Sequence, residues 1–152
     1  MSPGTDSARW LDSPLIRQAG RDVLSLALMD ARNHTLQLHA QIERGLAALS
    51  GEPEQALVRE PLWLLGEVGW YQERWIARNL QCQLGERADP TASRLPSLLS
   101  QADRWWEEGG PAAIPDDLAP AEACRDYLLQ TLEATLDLLE RAADTDEGLY
   151  FF

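Results

Sequence analysis

The sequence predicts an all-α protein, a bundle built on three long helices, and three observations carry that reading. Apolar residues recur at three- and four-residue steps over three stretches, each many turns long. Proline and glycine fall at the borders of those stretches. Strand-like alternation of apolar and polar residues appears nowhere along the chain. With 152 residues, 45% of them hydrophobic, the chain suits one domain able to hide about 70% of its unfolded surface. That domain is expected over residues 13–152, behind a small, polar tail at 1–12.

Ser13 followed by Pro14 reads as an N-cap with proline at the first helical position, opening a short helix that ends near Gly20. The first long helix is expected from about residue 21 to 49. Leu24, Leu28, Ala31, Thr35, Leu38, Ile42 and Leu49 form its stripe, and "SGEP" at 50–53 stops it. The second is expected from Pro61 to about Leu84, stopped by Gly85, with Leu64, Val68, Tyr71 and Trp75 as its apolar face. Glu67 falls on the neighbouring strip with Trp63, Trp70 and Arg74, at the edge of that face. Four prolines break residues 86–119, leaving room for a short helix in "SLLSQADRWWEE". Pro120 opens the third long helix, to about Ala143. Its stripe of Cys124, Leu128, Thr131, Thr135, Leu138 and Ala142 is widened by Leu129, Leu132, Leu136 and Leu139, a face broad enough for two neighbours. The closing "LYFF" reads in two ways, as the first turn of a fourth bundle helix or as an aromatic plug folded back on the bundle.

Composition narrows the function classes. The net charge is −12, and all thirteen positive residues are arginines. A field of that sign repels phosphate, so neither nucleic acid nor an anionic membrane is an expected partner. No apolar run approaches the roughly eighteen residues of a membrane span, and the N-terminus lacks a basic region followed by an apolar core. The cytoplasm is the expected compartment. There Cys82 and Cys124, too few for a disulfide framework and without metal-motif spacing, are expected to be thiols in structural positions.

Few residues could carry chemistry. His34 and His39 are five apart, about 140° around a helix, so they do not ligate one ion together, and each is expected on the polar face or at its boundary. There is no glycine-rich phosphate loop, no GxSxG elbow and no complete hydrolytic triad. Glu107–Glu108 and Asp116–Asp117 read as solvated charge. Glu67 is the exception, because it sits in the most aromatic stretch of the chain, "PLWLLGEVGWYQERW". It is either a carboxylate at the core edge held by Arg74 or another arginine, or a ligand whose partners come from a neighbouring helix.

Four segments resemble a known family. "ARNHTLQL" (31–38), "PLWLLGEVGWYQERWIARN" (61–79), "LPSLLSQADRWW" (95–106) and "GLYFF" (148–152) are similar, in order, to the N-terminal helical domain of ergothioneine- and selenoneine-type synthases. These non-haem iron enzymes are related to hercynine oxygenase and join sulfur or selenium to the imidazole of trimethylhistidine. The resemblance implies a DinB-like up-and-down four-helix bundle, here with its fourth helix truncated or missing. It also implies a C-terminal catalytic domain that these residues do not include.

The family's second-helix motif runs roughly W-x-L-G-H-x-x-W-F-x-E. Trp63, Leu65, Gly66, Trp70 and Glu73 match it, Tyr71 stands for the aromatic, and Glu67 takes the place of the iron-binding histidine. By this resemblance Glu67 is the candidate metal ligand, with Trp63, Trp70 and Tyr71 as its surroundings; from the residues alone, Trp63, Trp70 and Trp75 read most simply as bulky core and interface filler. Two histidines and a carboxylate form a known iron site, but the family's other two ligands lie beyond the "LYFF" equivalent. Iron is therefore expected only if ligands come from outside this chain, and no residue is assigned a catalytic role. The alternative is a non-catalytic DinB-like bundle that pairs with itself or a partner through the face a fourth helix would cover. A DinB-like thiol transferase meets the same shortage of ligands.

Overall fold

The computed structural model describes residues 16, 19–49, 51, 53–107 and 114–152. The expected tail at 1–12, the Ser13–Pro14 helix opening and Glu108 lie outside the described residues. Within them every regular element is helical: α1 (Arg21–Ala47), α2 (Gln55–Gln72), α3 (Ala102–Trp106), α4 (Ala121–Arg141) and the single turn α5 (Asp146–Leu149). Three long helices form a mutually packed set, α2 touching both α1 and α4 and α1 touching α4. Among the described residues no helix is long and apolar enough to cross a membrane.

The second helix departs from expectation at both ends. It begins at Gln55, so Pro61 lies inside it rather than at its first turn. "QALVRE" supplies helix-favouring residues upstream, and Arg59 ties this added turn to Asp116 (2.9 Å) and to the Pro115 carbonyl. The helix does not run to Leu84. After Gln72 the chain widens into a π turn over Glu73–Ala77, closed by Arg78 N–H donating to Glu73 O at 2.9 Å. A 3-10 stretch follows at Cys82–Arg87, where Gly85 takes φ +53°. The single turn α5 packs on this stretch, so "LYFF" folds back against the bundle with Tyr150 and Phe151 edge to face.

A larger correction concerns which face of α2 is buried. Leu64, Val68 and Tyr71 are exposed, by 44, 42 and 60%, and Trp75 is only half-buried. The inner face is instead Trp63, Leu65, Gly66, Gly69, Trp70, Glu73 and Ile76. The glycines explain the choice. A Cβ on Gly66 would stand 2.0 Å from the Trp106 ring, and one on Gly69 would stand 3.0 Å from Leu128 and 3.2 Å from Tyr127. Only a glycine surface admits an indole on one side and α4 on the other at that range. On α1 the expected stripe is split likewise: Leu24 is buried, while Ala31, Leu38, Ile42 and Leu49 are exposed. On α4, Cys124, Leu128, Thr131, Thr135 and Leu139 are buried as the stripe requires, although Leu129 is exposed.

The core lies between α2, α3 and α4. Trp105 and Trp106 meet edge to face, and Trp106 stacks on Tyr127 with ring centroids 5.7 Å apart. The indoles are also satisfied: Trp63 donates to the Trp105 carbonyl (2.9 Å) and Trp106 to the Trp63 carbonyl (3.1 Å). Beneath them sits Glu73, 1% exposed. Its carboxylate accepts from Ser97 Oγ (2.5 Å), Leu98 N (2.7 Å) and Tyr127 OH (2.6 Å). Glu73→Ala removes the acceptor from three donors that are buried or half-buried, and is expected to cost about 3 kcal/mol or more, since each donor left unpaired costs about 1–3 kcal/mol. Urea unfolding monitored by tryptophan fluorescence measures this; a loss below about 0.5 kcal/mol would show that the carboxylate does not hold the core.

Candidate functional site

The outward side chains of α1 and α2, over a floor of buried His39 and Leu65, make one continuous surface. Thr35, Leu38, His39 and Ile42 of α1 face Leu57, Glu60, Pro61, Leu64, Leu65 and Val68 of α2 across a groove of about 420 Å³. Both walls carry outward residues at three- and four-residue steps, Thr35–Leu38–Ile42 on one and Leu57–Pro61–Leu64–Val68 on the other, apolar but for Thr35. That repeat is the one by which a further helix packs along a bundle seam.

Glu67 borders this surface. Helical register sets it one turn from both Leu64 and Tyr71, half-buried as the sequence led us to expect for an edge residue. Among the described residues it has no hydrogen-bond or ion-pair partner. Arg74, the expected partner, instead pairs with Glu107 at 2.6 Å and lies over the Trp70 ring. Loss of water without a compensating cation pushes the Glu67 carboxyl above its ordinary range.

The residues expected around Glu67 go elsewhere. Trp63 is in the core on Trp105 and Trp106. Trp70 donates to Asp103 Oδ1 at 2.8 Å, joining the ion pair in which Arg78 grips both oxygens of Asp103 at 2.6 and 2.7 Å. The Arg78 hydrogen bonds hold the Asp103 carboxyl below the usual carboxylate range. Tyr71 alone stays on the outer strip, tilted against Trp75.

The histidines separate as expected, but His39 is buried rather than at a boundary. It lies on the groove floor, and burial lowers its pKa, so the ring is neutral at pH 7. Its Nδ1 stands 3.7 Å from Glu43, whose carboxylate is taken by Arg125 of α4. Sequence reasoning missed Arg32 altogether. This guanidinium is buried, bonded to the Gln72 amide, which passes the link to Thr135 Oγ1 at 2.7 Å; its Nη1 has no partner among the described residues. Desolvation lowers its pKa to about 10. A signal existed, for residue 32 falls between Leu28 and Leu36 on the inner stripe.

A larger cavity of about 830 Å³ lies between Leu24, Glu86 and the C-terminal turn, with Asp144, Asp146 and the closing aromatics in its wall. Its carboxylates are exposed, and Asp144 is occupied by the Arg21 amide at 3.3 Å. Cys82 is half-buried, and Cys124 is fully buried with its thiol pushed up to about 11. Asp116 and Asp117, read as solvated, are exposed and pair with Arg59 and Arg104. Among the described residues no three His, Cys, Asp or Glu side chains stand close enough to hold a metal ion. No protein-family model matches the chain, and no curated protein matches it.

A folded-state pKa above the unfolded one adds stability below the unfolded value and loses it as pH rises through the folded value. Glu67→Gln is therefore expected to be as stable as wild type near pH 3.5 and more stable at pH 7, by less than about 1 kcal/mol for a half-exposed group; an unchanged pH–stability curve would remove the desolvation account. In thiol titration at pH 8, Cys82 is expected to react in the native protein and Cys124 only after unfolding. Equal rates for both would contradict the buried position of Cys124.

Proposed function

We propose that this chain is a DinB-like helical scaffold of the ergothioneine/selenoneine synthase-like kind, whose open quadrant receives a fourth helix from outside these 152 residues. The observation that carries the proposal is the groove itself: two helices present apolar residues at bundle spacing to solvent, although α2 already has a well-packed inner face. Exposed apolar surface of that form marks an interaction site. The four segments that resemble the synthase family support the choice of scaffold, and they include Glu67 at the position of its iron-binding histidine.

The residues present do not fit iron on their own. Glu67 has no histidine beside it; His39 lies on the groove floor, on α1, with one nitrogen turned toward Glu43. A helix in the groove would have to bring the remaining ligands, so this chain alone carries no step of the sulfur- or selenium-joining reaction. A second reading, a non-catalytic bundle that pairs with itself or a partner, rests on the same exposed walls and needs no metal.

The intact mass and iron content of the protein as made in its source separate the two. A mass well above 17.0 kDa, with iron lost on Glu67→Ala in that full-length protein, is expected for the synthase-like reading. A mass of 17.0 kDa without iron would overturn it and leave the interaction module.

A further inference from the structure

The two walls of the groove differ in charge, and that difference selects among helices that could lie in it. Over the length of the groove the outer flank on the α1 side is His34 and Gln41, without a fixed charge, and Asp30 lies one turn beyond its end. On the α2 side the flank is Glu60 and Glu67, seven residues apart and so two turns apart on one edge. Neither carboxylate has an ion-pair partner among the described residues. The arginines of α2 are turned away, Arg59 to Asp116 and Arg74 to Glu107. One edge of an apolar trough therefore carries two unpaired negative charges at heptad spacing, one of them partly stripped of water.

We propose that the groove takes a basic amphipathic helix of a partner protein, with aliphatic residues at three- and four-residue steps and Arg or Lys at flanking positions reaching Glu60 and Glu67. This rests on the reading of the groove as a helix-accepting surface, and adds the chemistry of what it accepts. Flanking charges of this kind choose partner and orientation in helix seams, while the apolar face supplies the affinity. A second copy of this chain fits poorly. It would present its own Glu60 and Glu67, on a molecule whose net charge is already −12, and like charges along a seam oppose association. The α2 wall of the trough runs from Leu57 to Val68, about 16 Å at 1.5 Å per residue, or about three helical turns.

Two synthetic peptides of three heptads test the proposal, alike in their leucine seam but with lysine flanks in one and glutamate flanks in the other. Each repels itself at those flanks and stays monomeric at low concentration. Fluorescence anisotropy with the 152-residue chain is expected to show the lysine peptide binding at least roughly tenfold more tightly at low salt, the difference shrinking as salt rises. The double variant Glu60→Gln/Glu67→Gln is expected to bring the two peptides within about threefold of each other, and Leu64→Ser/Val68→Ser to weaken both. Circular dichroism confirms that these outward-facing variants remain folded.

Equal binding of both peptides by the unaltered chain overturns the charge selection and leaves the helix-accepting groove standing. A lysine preference that survives the double glutamine variant places it on the general acidity of the protein, and also overturns the proposal. Failure of both peptides overturns the groove reading itself. Sedimentation of the chain alone supplies one further outcome: a dimer abolished by Leu64→Ser/Val68→Ser would make a second copy the occupant.

Discussion

Everything on the inner side of this bundle is arranged around one buried carboxylate. A carboxyl group inside a protein is tolerated only when its oxygens are filled, and Glu73 is filled from two directions: Ser97 and Leu98 on the connecting segment, Tyr127 on α4. The π turn makes this possible. Residues five apart diverge on an α-helix, but one wider turn returns them to the same side, so Glu73 and Arg78 both face the 95–103 segment. Arg78 then takes the Leu95 carbonyl at 2.6 Å and both oxygens of Asp103. A stretch with one proline and little regular structure is thereby pinned, and with it Trp105 and Trp106. Burial and the Glu73 hydrogen bond together push the Tyr127 phenol far up, which keeps it a donor to that carboxylate at any ordinary pH.

That constraint also accounts for what the sequence made legible and what it hid. Helix number, the glycine–proline stop after α1, the proline at the head of α4 and its buried Cys124–Leu128–Thr131–Thr135 stripe could all be read, because spacing and terminators act locally. The orientation of α2 could not be read by the same means. Leu64, Val68, Tyr71 and Trp75 make a more regular apolar stripe than the face that is buried, and periodicity measures regularity, not contact. The informative residues were the least hydrophobic ones: Gly66 and Gly69 mark where other groups come close, and Glu73 marks the polar centre they enclose. Pro61 misled for a related reason. Its missing N–H suits a first turn, but the Arg59 contacts outweigh that preference and carry the helix six residues further back.

For Glu67, the edge position was legible, and so was the place of Trp63 and Trp70 in the core. Its lack of a partner was not, because Arg74 is claimed by Glu107. A carboxylate in that state is an unfinished interaction. It can be completed by a cation or by a metal with further ligands, and in either case the completing group must come across the groove.

The two sides of α2 therefore do different work. The side toward α3 and α4 is interlocked by indole hydrogen bonds, a stacked Trp106–Tyr127 pair and a filled carboxylate, so it gives up little on opening or closing anything nearby. The seam between α1 and α2 is held by the Arg32–Gln72–Thr135 chain, and beside it by Glu43–Arg125 between α1 and α4, with Arg32 Nη1 and His39 Nδ1 lacking hydrogen-bond partners among the described residues. Buried polar atoms left without partners weaken a seam by about 1–3 kcal/mol each, and such seams adjust most readily when another element arrives. A rigid wall on one side and an under-satisfied, apolar seam on the other is the asymmetry that lets a bundle accept a helix without rebuilding its core.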